Sequence, residues 1–142
     1  MRMRSALRLS LAALILLGAG SAQAQLRCGD YLSELGKKPA YLLYKGCQQQ
    51  PDRQDQPFSA RYEVAGQHAQ QAEAYLHRTY GMPLLKRYCC AWDSSLHSWR
   101  DKRTGIQYVL SMATEETLVR ERTDWPAIAR FYLNVDAYAH DP

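Results

Sequence analysis

The first 24 residues constrain this chain most strongly, because they have the three parts of a secretory signal. Three arginines near the start supply positive charge, residues 9–19 form an apolar run, and Ala22 and Ala24 place small side chains where a signal peptidase cleaves. The run is too short to span a bilayer as a helix. We therefore expect residues 1–24 to be a cleaved signal peptide. The protein is then exported to the bacterial periplasm, with no membrane insertion after cleavage.

Cleavage after Ala24 leaves residues 25–142, about 120 residues, which suffice for a single domain and are too few for two. The formal net charge of the whole chain is +4, but the leader contributes arginines and every acidic residue follows it. The rest of the chain is close to neutral, so nucleic acid is not expected as a partner.

Four cysteines follow the leader: Cys28, Cys47, Cys89 and Cys90. An even number in an oxidising compartment indicates disulfides. Because neighbouring side chains of a strand point to opposite faces, we expect Cys89 and Cys90 to bond separately to Cys28 and Cys47. A vicinal Cys89–Cys90 bond is the alternative. No Cys-x-x-Cys pair is present and the four histidines are scattered, so neither a metal site nor a cofactor is expected.

Hydrophobic periodicity indicates helices and strands separated by polar turns. The clearest helix is at residues 66–80, where alanines and a leucine recur at steps of three and four and Gly81 follows as the terminator. A short helix is expected at residues 28–36. Strands are expected at residues 40–45, 58–64, 84–92, 106–113 and 131–138, with exposed loops at residues 48–57 and 93–105.

These elements predict an α+β domain. Short connections favour antiparallel pairing, so we expect an antiparallel sheet of about five strands. One long helix, residues 66–80, would pack on one face of this sheet, and disulfide bonds would cross-link the domain.

The sequence lacks the motifs of common catalytic sites, such as nucleophile elbows, zinc-binding helices and phosphate loops. Glu115 and Glu116 are residue types that can act as a catalytic acid and base. The side chains of adjacent residues on a helix, however, point about 100° apart. They fit better as part of a polar helix start at residues 114–117. His97 shares one loop with Asp93 and two serines, where side chains are poorly positioned for catalysis. We expect no catalytic residues and no enzyme activity.

The loop at residues 93–105 is the expected contact surface for a partner. It places Trp99 among basic residues with few apolar neighbours, and a large aromatic beside arginine is typical of an interface hot spot. In the alternative, Trp99 folds back onto the sheet. The predicted partner-binding residues are His97, Trp99, Arg100, Lys102 and Arg103.

Several short motifs occur together across most of residues 28–135. They are Gly46-Cys47, Tyr62-x-Val64-x-Gly66-x-x-Ala69, Ala72-Glu73-x-x-Leu76, Gly81-Met82, Cys89-Cys90-x-Trp92, Met112-x-x-Glu115-Glu116-Thr117 and Phe131-Tyr132. In these motifs the chain resembles a family of small secreted proteobacterial proteins of unknown function, with the Cys-Cys-x-Trp element the most specific. In size, export and disulfide content it is also similar to periplasmic immunity proteins. That second likeness implies an exported toxin or an envelope enzyme as the partner.

These observations favour a non-catalytic periplasmic binding protein, of the immunity or inhibitor type that occludes a partner enzyme. The alternative is an envelope-associated domain that binds a small ligand in a pocket between the helix at residues 66–80 and the sheet. A filled core with a projecting loop would favour the first hypothesis. A deep pocket with converging polar groups would favour the second.

Overall fold

A computed structural model describes residues 25–139, so the predicted signal peptide at residues 1–24 lies outside the described residues. Within this range the chain forms an antiparallel sheet of seven strands with a few short helices. The strands are β1 (Leu43–Gln49), β2 (Phe58–Ala65), β3 (Lys86–Tyr88), β4 (Ala91–Asp93), β5 (His97–Arg100), β6 (Gln107–Ala113) and β7 (Arg130–Tyr138). The helices are α1 (Tyr31–Leu35) and α2 (Ala69–Tyr80), with 3-10 segments at Gly66–His68 and Arg122–Ala127.

The strand order is β1-β2-β7-β6-β4-β3, with β5 paired to β6 beside this path. One edge of β6 pairs with β7, and the other pairs with β5 along its first half and with β4 at its end. Ser94 joins these two short strands, because its N–H donates to the Met112 carbonyl and its hydroxyl accepts from the Met112 N–H, both at 2.9 Å. β1 and β3 are the two end strands of this path.

The core lies between one face of the sheet and the helices. The predicted strands at residues 58–64, 106–113 and 131–138 are confirmed, and their alternate side chains point inward. α2 covers this face through small and aliphatic side chains that are 0% exposed, and it ends at Gly81 in the left-handed conformation, as predicted. The inward residues of the three strands are Ala60, Tyr62, Val64, Tyr108, Leu110, Met112, Phe131, Leu133 and Val135.

The sheet is larger and the helices are smaller than the sequence predicts. Seven strands are present where about five were expected, and α2 has 12 residues, so the domain is mostly sheet. The predicted strand at residues 84–92 is wrong, because the chain reverses at Cys89 and Cys90 and forms β3 and β4. The predicted loop at residues 93–105 is wrong, because β5 lies within it and pairs with β6.

Asp30 organises the N-terminal part of the domain. Its carboxylate accepts a hydrogen bond from the N–H of Ser33, which caps α1, and another from the Tyr62 hydroxyl at 2.9 Å. Lys38 pairs with it at 2.9 Å. Burial raises the pKa of Asp30, but the hydrogen bonds from Lys38, Ser33 and Tyr62 outweigh this effect and leave the pKa below its ordinary value. The charged carboxylate therefore connects α1 to β2 through its hydrogen bonds with Ser33 and Tyr62.

The 3-10 helix Arg122–Ala127 closes the core beside α2. Its Trp125 is 0% exposed and packs against Trp92 and Phe131, with ring centroids 5.2 and 4.9 Å away. Large aromatic side chains bury much apolar area, so this cluster anchors the end of the sheet. Among residues 25–139, no helix has the length and apolar character needed to cross a membrane.

Candidate functional site

The β3–β4 hairpin forms one outer margin of the sheet. Its pairs are Lys86 with Asp93, Arg87 with Trp92 and Tyr88 with Ala91, and the two cysteines occupy the turn between them. Cys89 adopts a φ of 51°, which is uncommon for a residue that is not glycine. The hairpin therefore holds two bonded cysteines at its tip.

The disulfide pairing differs from the one expected. Cys28 bonds to Cys47, with Cα atoms 5.6 Å apart, and Cys89 bonds to Cys90, with Cα atoms 3.8 Å apart. The predicted stapling of Cys89 and Cys90 to the two earlier cysteines is therefore wrong, and the vicinal alternative matches the structure. The prediction assumed that Cys89 and Cys90 lie in an extended strand, where successive side chains point to opposite faces. The two residues instead form the turn of the β3–β4 hairpin, so this alternation does not apply.

The two disulfides should differ greatly in their effect on stability. The Cys28–Cys47 bond spans 19 residues of chain, so we expect its replacement by two serines to cost about 3 kcal/mol. The Cys89–Cys90 bond joins adjacent residues and closes almost no loop, so its double serine variant should cost less than about 1 kcal/mol. Urea unfolding followed by tryptophan fluorescence measures both, and the reverse order would contradict this account.

Exposed apolar side chains gather around this hairpin. Leu84 is 48% exposed, Tyr88 53%, Leu96 76% and Leu118 92%. We call these four residues, together with the Cys89–Cys90 turn, the apolar edge. The other large hydrophobic side chains that are exposed among the described residues, at positions 43 and 44, belong to β1 at the opposite margin of the sheet.

Two separate shallow depressions lie at the apolar edge. Tyr88 and Leu96 line a groove of about 460 Å³ beside the end of β6. Leu118 and Cys90 line a smaller depression of about 290 Å³. The N–H of Thr117 donates to the Cys90 carbonyl at 2.7 Å, which places Leu118 next to the hairpin turn. The apolar groups thus lie on both sides of the cysteine pair.

The segment that carries Leu118 is held by side chains of the hairpin. The Arg87 guanidinium donates to the carbonyls of Thr117 and Val119, both at 2.7 Å, and the Trp92 indole N–H donates to the Val119 carbonyl at 3.0 Å. The helix start predicted at residues 114–117 is not formed, because this irregular backbone bonds to the hairpin instead. Leu118 is therefore exposed on a backbone fixed on both sides.

Of the five predicted partner-binding residues, His97 directly follows Leu96 of the apolar edge, and the other four lie further along β5 and in the turn after it. Trp99 points inward and packs edge-to-face on Tyr80, with ring centroids 5.0 Å apart, and His97 bonds to the Tyr80 carbonyl at 2.7 Å. Arg100 donates to the carbonyl of Gly105 at 2.7 Å. Lys102 and Arg103 are exposed in the turn between β5 and β6. This placement matches the alternative in which Trp99 folds back, and a partner-binding role for these residues stays a prediction.

Replacing Trp99 should therefore affect stability. Trp99 contacts the Tyr80 and Tyr108 rings and is partly buried, so Trp99→Ala should cost about 2 kcal/mol, below the 3–5 kcal/mol typical of a fully buried large aromatic. Thermal unfolding followed by circular dichroism measures this loss. An unchanged melting temperature would mean that the indole contributes no packing and is free for a partner.

The residue types of a catalytic triad near His97 do not assemble. The Asp93 carboxylate accepts from the N–H of Ser95, and the Ser94 hydroxyl bonds to the backbone of Ser95 and Met112. Each group is thus occupied by the main chain. Glu115 bonds to the Tyr132 hydroxyl at 3.3 Å. Within residues 25–139, no cluster of three or more His, Cys, Asp or Glu side chains is placed to hold a metal ion.

A ligand pocket between α2 and the sheet has no space. Ala69, Ala72 and Leu76 of α2 are all 0% exposed and belong to the same core as the strands below them. Small side chains let a helix approach a sheet closely, and the gap is filled. A cavity of about 620 Å³ lies elsewhere, beside α1 and the β5–β6 turn.

Fold and surface together define a small, disulfide-bonded antiparallel domain with an apolar margin. The model of a family described as a domain of unknown function, DUF4952, matches residues 18–92, just over half of the chain, and the chain belongs to this family. The match extends through the Cys-Cys-x-Trp element of the hairpin. It agrees with the expected membership of a family of unknown function. No curated protein and no solved structure matches this chain.

Only weak signals for the apolar edge are present in the sequence. Leu96 stands alone among polar neighbours, Leu118 has only Val119 beside it in a polar segment, and neither position belongs to a periodic pattern. Tyr88 belonged to an apolar stretch that was interpreted as one buried strand. A lone leucine within a polar segment is the available signal, but only the tertiary fold shows that two such residues flank one hairpin.

Proposed function

We propose that this protein is an exported, non-catalytic binding protein that holds another protein against the apolar edge. The observation that carries this proposal is the concentration of exposed Leu84, Tyr88, Leu96 and Leu118 around one hairpin. Large apolar side chains that are exposed in one region of a protein surface are typical of interaction sites.

The energetics of the edge suit a protein interface. Fully burying one large apolar side chain is worth about 1.5–3 kcal/mol, so three or four of them supply much of the free energy of a stable complex. Arg87 and Trp92 hold the Leu118 segment in place, so little conformational entropy is lost on binding.

Polar groups surround this apolar centre. Lys86 and Glu116 are exposed close to it, and Asp93 lines the groove that contains Tyr88. An apolar centre with a polar rim is the usual arrangement of a protein–protein contact, in which the rim charges favour one partner over another.

The partner we propose is an exported toxin or an envelope enzyme that this protein occludes, as immunity proteins do. Three features support this: the signal-like residues 1–24, the disulfides expected of an oxidising compartment, and the likeness in size to periplasmic immunity proteins. The proposal places the protein in the periplasm after the signal peptide is removed. The role assigned is occlusion of the partner rather than catalysis.

Affinity capture with matched variants tests the proposal. Wild-type protein, Leu118→Ser and Tyr88→Ser are immobilised separately and incubated with periplasmic extract of the producing cells. We expect wild type to retain a partner and each variant to bind it at least about tenfold more weakly in titration. The fold should be intact in both variants, because both side chains are mostly exposed.

Leu43→Ser is the matched control, because Leu43 is 54% exposed at the opposite margin of the sheet. It should retain the partner with wild-type affinity. Equal loss of binding in the control and in Leu118→Ser would contradict a specific edge, as would unchanged binding in both edge variants. If partner binding is lost only in variants of Lys102 or Arg103, the partner contacts the β5–β6 turn and not the apolar edge.

A further inference from the structure

A cavity of about 620 Å³ shares no lining residue with the apolar edge and is bounded by residues 25–27, α1 and the β5–β6 turn. Volumes of about 300–1,000 Å³ are typical of small-molecule sites. Its lining mixes apolar and polar groups in nearly equal share. The residues that carry the argument are Tyr31, Glu34, Leu35, Arg103, Ile106 and Tyr108.

Two buried tyrosines form an aromatic wall of the cavity. Tyr31 and Tyr108 are 1% and 4% exposed, and their rings meet edge-to-face with centroids 5.6 Å apart. The Tyr31 hydroxyl donates to the Arg27 carbonyl at 3.0 Å. Leu35 and Ile106 add aliphatic surface, so an apolar group would be well accommodated here.

The Tyr108 hydroxyl has no hydrogen-bond partner within residues 25–139, although its side chain is almost wholly buried. The pKa of Tyr108 is raised to about 12, mainly by burial and also by the negative charges of Asp101 and Glu34, while the positive charge of Arg103 opposes the shift. The hydroxyl is therefore neutral and able to donate at neutral pH. The residue as a whole is buried, but its hydroxyl oxygen is accessible from the cavity that Tyr108 lines, so a ligand atom there can accept its hydrogen bond.

Opposite charges stand at the mouth of the cavity. Glu34 is exposed and makes no ion pair with any residue of the described range. Arg103 contacts Asp101 at 3.5 Å, but its side chain is 74% exposed, so the guanidinium can also meet a ligand. A carboxylate and a guanidinium on one rim select a ligand that carries both signs of charge.

We propose that this cavity binds a short apolar peptide, of the size of a dipeptide, as a zwitterion. The ammonium group lies beside Glu34 and the terminal carboxylate beside Arg103. The apolar side chains lie against the two tyrosine rings and Ile106, and the peptide backbone satisfies the Tyr108 hydroxyl. This site is separate from the apolar edge and does not depend on it.

Isothermal titration calorimetry with three forms of one probe tests this assignment. The probes are the dipeptide leucyl-phenylalanine, its N-acetyl form, which lacks the ammonium, and its C-terminal amide, which lacks the carboxylate. We expect the free dipeptide to bind and each blocked form to bind about tenfold more weakly. Equal affinity for all three forms, or no binding heat for the free dipeptide, would overturn the proposal.

Variants of the cavity assign the contacts. Tyr108→Phe keeps the ring and removes the hydroxyl, so it should weaken binding of the free dipeptide by about fivefold or more without loss of folding. In Glu34→Gln the free dipeptide and its N-acetyl form should bind with equal affinity. In Arg103→Gln the free dipeptide and its C-terminal amide should bind with equal affinity. Glu116→Gln and Leu118→Ser, at the apolar edge, should leave binding unchanged. Unaltered affinity in Tyr108→Phe would contradict the assigned geometry.

Discussion

Gly66→Ala is expected to destabilise the domain by about 3 kcal/mol or more, and to prevent folding if the native stability is modest. The chain passes from β2 into α2 at Gly66, where it lies directly against the 3-10 helix Arg122–Ala127. A Cβ on Gly66 would fall under 3.0 Å from the carbonyl oxygens of Trp125 and Ile128. Both are backbone atoms, so relief requires moving the segment that carries the buried Trp125.

Gly36→Ala is the control for this prediction. Gly36 has extended backbone with φ of 173°, and a Cβ there would meet nothing within 4 Å. Its free energy of unfolding should change by no more than about 0.5 kcal/mol. Chemical unfolding of both variants provides the comparison. A Gly66→Ala protein as stable as Gly36→Ala would mean that the 3-10 helix does not pack against this turn.

Glu73→Ala should destabilise the domain by about 3 kcal/mol, because it breaks a buried charged network. Glu73 is 6% exposed, and its carboxylate accepts from the Leu85 N–H at 2.6 Å and pairs with Arg122. Arg122 also donates to the Leu85 carbonyl and lies over the Trp125 ring, 4.8 Å from its centroid. Removing the carboxylate leaves the Leu85 N–H without its acceptor and the Arg122 guanidinium without its negative partner.

The matched control is Glu63→Ala. Glu63 also pairs with an arginine, Arg130 at 3.6 Å, but both side chains are more exposed than those of the buried pair. Exposed pairs are worth about 0–1 kcal/mol, so this variant should stay near wild type. Urea titration of Glu73→Ala, Arg122→Ala and the double variant isolates the coupling within the buried pair, and Glu63→Ala is measured beside them. Equal losses in Glu73→Ala and Glu63→Ala would show that burial adds nothing to the network.

The sequence predicts the interior of the sheet well. β2, β6 and β7 each have one face in the core, so their hydrophobic residues alternate, and α2 shows its buried stripe for the same reason. The outer strands were harder to predict. β1 is exposed along most of its length and contains a bulge between Tyr44 and Gly46, so its sequence carries no alternation.

The hairpin at the opposite margin was missed for a different reason. Its turn contains no glycine, proline or asparagine, and Cys89 takes a left-handed conformation without the residue type that usually indicates one. β5 was missed because Trp99 is its only large apolar residue, and the inward face of the strand otherwise carries only His97. The candidate site depends on these two elements, so its position could be known only from the folded chain.

Site-specific photo-cross-linking in the producing cells tests the central claim most directly. A photoreactive amino acid replaces Leu118 in one protein, Leu43 in a second and Arg103 in a third, and adducts are resolved by mass after irradiation. The account predicts a discrete adduct with one partner from position 118 and none from positions 43 and 103. An adduct from position 103 without one from position 118 would place the contact at the β5–β6 turn and contradict the apolar edge.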